Sequence, residues 1–341
     1  MKKRKIILKA ITLSLLTILS GCFNNFTYVA GGEDKKGFVD GFAKDAKLKN
    51  PSIMKADEEN GDLYVLDQDS KVIRKISLSG EITTFFDSTK YKDLNITEIK
   101  DIDVYKNYVY FSFDKTIYKI EKTSKEKKPE ILVSFPYGHS YGKIEESKIA
   151  SITEFEIKDE NSIYFVNEYR AVVFSPYSEL AFLDLKINNL ENIKLELNGT
   201  AISLKRNKFK NLKYNNEKIV FNSVTEDSTK TFSLDTINYK LYEYEKILFE
   251  FTLDNNSNIY FIDKNKQDLI KIENKTNKET ILSKTWNVTV REERGAFWIP
   301  FADIEDHFII FSINYLELDS KRKILYISVL DKNHIFKINI Y

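Results

Sequence analysis

Few residues in this chain are of a type and spacing that could do chemistry. The three histidines, His139, His307 and His334, show no metal-ligand spacing, and no H-E-x-x-H pair of helical imidazoles occurs. Gly138-His139-Ser140-Tyr141-Gly142 matches the G-x-S-x-G pattern of a nucleophile elbow. That elbow requires a strand-to-helix turn, and the following Lys143-Ile144-Glu145-Glu146-Ser147 lacks the small residues such a helix needs for packing. The segment therefore reads as a loop carrying Tyr137, His139 and Tyr141. A second long segment, 284–306, carries Trp286, Arg291, Arg294 and Trp298. Flat aromatic faces stack on sugars and peptide groups, and guanidinium pairs with carboxylates, so these seven residues are the ligand-binding candidates. The alternative is that the aromatics pack the inserts onto the body. No catalytic residue and no metal ligand is assigned.

The elements that would carry these loops follow an export signal. Lys2-Lys3-Arg4-Lys5 precedes an apolar run, Ile6 to Leu19, which is broken by Lys9 and by hydroxyls and ends at Ser20-Gly21-Cys22. A charged start, a short apolar core and small residues at its end make a signal peptide over residues 1–21. The run is shorter than the roughly 20 residues that cross a bilayer comfortably. Leu19-Ser20-Gly21-Cys22 resembles the bacterial lipobox, which implies that Cys22 is lipidated and that residues 22–25 form a short tether. The expected address is export and lipid anchoring to a bacterial cell membrane or outer membrane. Cys22 is the only cysteine, so no intramolecular disulfide is available. Residues 1–21 hold five basic and no acidic side chains, leaving 47 basic against 51 acidic residues and a net charge of about −4. Without clustered positive charge, nucleic acid is excluded as a partner.

Internal repetition sets the fold. A short buried-type strand recurs as Leu63-Tyr64-Val65, Val109-Tyr110-Phe111, Ile163-Tyr164-Phe165, Ile219-Val220-Phe221, Ile259-Tyr260-Phe261 and Leu325-Tyr326-Ile327. Each is followed after a polar gap by a second strand: Ile73–Ile76, Ile117–Ile120, Ala171–Phe174, Thr231–Leu234, Leu269–Ile272 and Ile335–Ile338. Six such units, with no long stretch of helical period, predict an all-β radial repeat. Turns ahead of the first strand set carry Gly61, then Asn107, Asn161, Asn216 and Asn258, where asparagine is expected to take the left-handed conformation.

Residues 38–85 carry a more specific pattern: Asp40-Gly41, Pro51, Asp57, Gly61, Leu63-Tyr64-Val65, Asp67, Ile73-Arg74-Lys75-Ile76, Gly80 and Ile82-Thr83-Thr84. This stretch resembles an NHL repeat, which implies a six-bladed β-propeller over residues 26–341. The last repeat stops at its third strand, and Phe26-Thr27-Tyr28-Val29-Ala30-Gly31-Gly32 resembles the missing fourth strand. The N-terminal strand is therefore expected to close the last blade and remove two sheet edges. In propellers of this kind, a fourth strand starts on the face opposite the commonly used binding loops. The tether then places the propeller near the membrane with the loop of Tyr137 outward.

The resemblance implies an interaction or sensing module, and the leading expectation is a binding lipoprotein with a protein, peptide or glycan partner rather than an enzyme. The alternative is a metal-dependent hydrolase or lyase using acids, Asn or His around the central channel. No cofactor is called for. Asp67, Asn167 and Asp263 recur at one repeat position. There, capping of the strand-end turn by side-chain hydrogen bonds competes with calcium or another divalent metal as the explanation.

Overall fold

The computed structural model describes residues 27–31, 39–42, 45–169, 177–197, 200–201, 207–225, 227–263, 268–283, 313–329 and 333–340. Cys22, Trp286, Arg291, Arg294 and Trp298 lie outside them. Among the described residues there is no α-helix, only single 3-10 turns such as Gln68–Ser70 and Lys92–Leu94.

Six antiparallel sheets form the six blades of a β-propeller. In blade one the strands run Pro51–Ala56, Leu63–Asp67, Val72–Ile76 and Glu81–Asp87 from axis to rim, with Gly41–Phe42 added outside. The first strands of the other blades are Asp101–Tyr105, Ile152–Asp159, Lys208–Asn215, Phe251–Leu253 and Ile313–Asp319. Each packs beside the first strand of the next blade, and Ile313–Asp319 returns to Pro51–Ala56, so the ring is closed. All six repeated Leu/Val/Ile-led triplets lie in second strands. Sandwiched between first and third strands and packed on both faces, these are buried almost throughout, as in Leu63–Asp67. Strands covered on both sides lose the polar alternation of a half-exposed sheet.

Apolar side chains fill the wedges between blades. Tyr64, Leu66, Ile73 and Phe86 of blade one meet Ile102, Val109, Phe111 and Tyr118 of blade two, with the rings of Phe86 and Phe111 stacked at 5.0 Å. At ~1.5–3 kcal/mol for each large side chain taken from water, these wedges hold neighbouring blades together.

The N-terminal strand closes the ring as the sequence predicts. Thr27–Ala30 pairs antiparallel with His334–Asn339 and completes blade six. Val29 and Ala30 then share a buried cluster with Tyr326 and Ile335 of blade six and with Leu63, Val65 and Ile82 of blade one. Gly31, at φ +101°, ends this strand so close to blade six that a Cβ would lie 1.6 Å from the Asn333 carbonyl oxygen.

Two local readings are corrected. The third strand of blade three is Tyr177–Asp184, paired residue for residue with Ser162–Tyr169, whereas Ala171–Phe174 lies outside the described residues. The second strand there runs eight residues and displaces its partner along the chain. Of the turn asparagines, only Asn216 has positive φ; at two other hairpins Lys106 and Ser257 take that conformation instead. Asn258 serves by its side chain, donating from Nδ2 to Asp254 Oδ2 at 2.8 Å, which fixes the turn without a left-handed backbone.

The alternating strand directions give the propeller two distinct faces. One carries the first-to-second and third-to-fourth strand turns and also the start of Thr27–Ala30. The other carries the second-to-third turns and the connections between blades, including the loop of Tyr137.

Candidate functional site

On the blade-connection face, the loop between blades two and three is held by backbone bridges of Tyr137 with Ile149 and of Ser140 with Lys148. Tyr137 stands 70% exposed. His139 and Tyr141 instead converge on Glu179, which the third strand of blade three supplies. The imidazole Nε2 lies 3.2 and 3.1 Å from the two carboxylate oxygens, and the Tyr141 hydroxyl donates to Glu179 Oε2 at 2.5 Å. Burial, reinforced by this acceptor, pushes the Tyr141 hydroxyl pKa up. The His139 ring also lies edge-on to Tyr169 at 5.0 Å. Asn167 Nδ2 donates to both tyrosine hydroxyls, at 3.1 Å to Tyr141 and 2.7 Å to Tyr169.

The result is a rigid polar cluster whose outer member, the His139 side chain, is 51% exposed. It exposes an imidazole, with the Tyr169 ring buried beside it. Ser140 takes no part: its hydroxyl donates to the Glu146 carbonyl, and the chain continues into Gly142–Lys143, a strand, rather than a helix. A nucleophile elbow is thereby ruled out at this place.

Two of the repeated strand-end residues, Asp67 and Asn167, act as caps. Asp67 Oδ1 accepts from Lys49 N at 3.0 Å and Asn50 N at 2.7 Å, and Asn167 Oδ1 accepts from Ala150 N at 3.0 Å and Ser151 N at 3.3 Å. In both blades the side chain fastens the segment entering the first strand.

A second constellation, absent from the sequence reading, lies on the axis. Successive side chains of a strand point to opposite faces, so every other residue of a first strand reaches the channel. Asp101 and Asp103 come from blade two, Glu154 and Glu156 from blade three, Glu317 from blade six, and Lys55 and Lys213 from blades one and four. Lys55 Nζ lies 2.6 Å from Glu156 Oε1 and 3.5 Å from Asp103 Oδ1. Lys213 donates to the Tyr315 hydroxyl and lies 3.4 Å from Glu317 Oε2.

The carboxylates also join adjacent first strands, whose backbone groups do not form a ladder with one another. Asp101 accepts from Phe155 N at 2.8 Å, Asp103 from Ile157 N at 2.7 Å, Glu154 from Leu212 N at 2.6 Å and Glu317 from Ala56 N at 3.1 Å. Buried amides are thus satisfied by acids where sheet pairing stops.

Charge in this enclosure shifts titration strongly. Burial raises Asp101 and Glu154 to about 7, against the pull of Lys55 on the first and of the Leu212 amide on the second. Burial likewise pushes Glu156 up. For Lys55, burial alone would lower the pKa, but Asp103 and Glu156, with Tyr315 and Glu317, outweigh it and hold the ammonium well above its ordinary value.

The channel opens on the hairpin face into a cavity of about 500 Å³, lined by residues of all six blades and rimmed by Tyr105, Lys106, Tyr214, Asn216 and Asn255. Among the described residues, no group of three or more His, Cys, Asp or Glu side chains is arranged to hold a metal ion. The two lysine ammoniums stand among the acids.

No protein-family model and no curated protein matches the chain. Solved structures do. A Bacteroides thetaiotaomicron protein of unknown function is similar at 16% identity over 93% of this chain and 76% of that one, with a TM-score of 0.58. An auxiliary nutrient binding protein from the same organism is similar at 11% identity over 92% and 76% of the two chains, with a TM-score of 0.56. A gluconolactonase from Xanthomonas campestris is similar at 8% identity over 86% and 87%, with a TM-score of 0.56. Identities this low establish the propeller fold alone.

Proposed function

We propose that this chain is an exported, lipid-tethered binding protein, NHL-like in its repeats, that engages a protein, peptide or glycan on the blade-connection face of the propeller at residues 26–341. The observation that carries the reading is the His139–Glu179–Tyr141 cluster. It presents an exposed imidazole on a buried hydrogen-bonded base, beside the exposed Tyr137. Pre-ordered aromatic groups bind at low entropic cost, which suits recognition more than turnover. A nutrient binding protein among the similar structures is consistent with this role.

The tether through Cys22, following a signal peptide at residues 1–21, has support of its own. Leu19-Ser20-Gly21-Cys22 resembles a lipobox, and Thr27, five residues beyond Cys22, begins the strand that closes blade six. Mass spectrometry of the protein purified from membranes tests it: diacylated or triacylated Cys22 at the mature N-terminus is expected, and an unmodified thiol would refute the anchor.

Binding is tested on glycan and peptide arrays with the wild type beside Tyr137→Ala and His139→Ala. Hits that both substitutions abolish support the loop face; hits that neither affects refute it. The alternative, a metal-dependent hydrolase or lyase, gains from the convergence of acids on the channel. It loses from the ammoniums of Lys55 and Lys213 among them. Elemental analysis before and after chelation separates the readings, because stoichiometric calcium, zinc or iron would move the activity to the channel.

A further inference from the structure

We propose that the hairpin-face mouth of the channel is a second binding site, independent of the loop cluster, that takes a neutral polyhydroxylated ring of mono- or disaccharide size.

Three observations lead there. The cavity is large enough, at about 500 Å³, within the range of built small-molecule sites. Its floor is polar and charged, with both ammoniums already paired: Lys55 with Glu156 and Asp103, and Lys213 with Glu317. An anionic ligand would meet the carboxylates, and a cationic one would compete with two ammoniums already in place. Hydrogen-bonding capacity nevertheless remains. An ammonium has three donors and a carboxylate about four acceptor positions, more than these pairs consume. A hydroxyl group both donates and accepts, so a polyol matches a lining that holds both acids and ammoniums without adding net charge.

The rim supplies the rest of such a site. Asn255 lies in an exposed turn, donates to Glu58 Oε2 at 3.0 Å and accepts from Asn215 Nδ2 at 3.3 Å, forming an amide chain across the mouth. Tyr105 lines the same mouth and can supply a ring to the C–H side of a sugar, whereas the Tyr214 ring packs on Tyr164 at 5.1 Å.

The mouth and the loop cluster open on opposite faces, so their variants separate them. The experiment is isothermal titration of the full chain with glucose, galactose, maltose and cellobiose, each beside glucosamine and glucuronate. Asn255→Trp blocks the mouth from an exposed turn and Tyr105→Ala removes a ring face; melting temperature confirms that each folds. At least one neutral sugar is expected to bind, with affinity reduced about tenfold or more, equivalent to ~1.4 kcal/mol, in Asn255→Trp. Tyr137→Ala is expected to leave that affinity unchanged. The proposal is overturned if no neutral sugar binds, if a charged counterpart binds more tightly, or if folded Asn255→Trp binds as the wild type does. Loss of binding in Tyr137→Ala alone would also overturn it by moving the sugar to the loop face.

Discussion

Lys55 of blade one and Glu156 of blade three, 101 residues apart, meet at 2.6 Å on the propeller axis. Asp103 of the intervening blade lies 3.5 Å from the same ammonium. Three blades therefore share one buried charge cluster, which couples the fold of the ring to the electrostatics of its channel.

Removing one member of this pair is expected to cost about 3–5 kcal/mol, because the remaining charge is left buried without its partner. Chemical denaturation of Lys55→Met and Glu156→Leu measures this directly. The double variant is expected to recover only part of the loss, because Asp103 then lacks the ammonium that lies 3.5 Å from it. A double variant as unstable as the sum of the singles would show that the two side chains do not act as a pair.

Asp101 and Glu154 give the stability a distinctive pH dependence. Their folded pKa values, about 7, lie above the ordinary values of 3.8 and 4.5, so the folded state binds more protons than the unfolded chain between about pH 4 and 7. Their contribution to stability is therefore greatest below that window and declines as pH rises through it. Asp101→Asn and Glu154→Gln keep an oxygen for the amides of Phe155 and Leu212 but cannot titrate. Their melting temperatures should fall less than that of the wild type between pH 4.5 and 8, a window set by those carboxyl shifts. Parallel curves would refute the assignment.

Much of the architecture was legible because second strands are covered on both faces and keep an unbroken apolar signature in every repeat. The Asp40, Arg74 and Thr84 positions of the first repeat were equally legible, and the structure explains them. The buried Arg74 guanidinium pairs with Asp40 Oδ1 at 2.8 Å, and the Thr84 hydroxyl donates to the same oxygen at 2.8 Å. The channel was not legible, because no blade contributes more than two charged residues and their convergence exists only in the closed ring. A trace was present in Asp101-Ile102-Asp103, Glu154-Phe155-Glu156 and Glu317-Leu318-Asp319, acids at every second place of first strands. Glu179, the partner of His139, was missed because the third strand of blade three begins at Tyr177, beyond the apolar run at Ala171–Phe174.

Ring closure depends on Gly31. Gly31→Ala puts a methyl group against the Asn333 carbonyl and forces a side chain into φ +101°, so the N-terminal strand must shift. A loss of about 2–4 kcal/mol is expected by thermal or urea unfolding. Deleting residues 23–32 should be more severe, since it also uncovers Tyr326 and Ile335. An unchanged melting temperature in either variant would mean that blade six stands without its fourth strand.

The loop cluster separates stability from recognition residue by residue. Glu179→Ala strips the acceptor from the half-buried Tyr141 hydroxyl and should cost about 1–3 kcal/mol. It should also weaken ligand binding, because His139 loses the carboxylate that orients it. Tyr137, exposed at the loop tip, makes no comparable contribution, so Tyr137→Ala should change stability by less than about 0.5 kcal/mol while still reducing affinity. Melting temperature and array binding, measured on both variants, decide the matter. If Glu179→Ala lowers the melting temperature but leaves binding intact, the cluster is scaffolding and the ligand must be held elsewhere on the face.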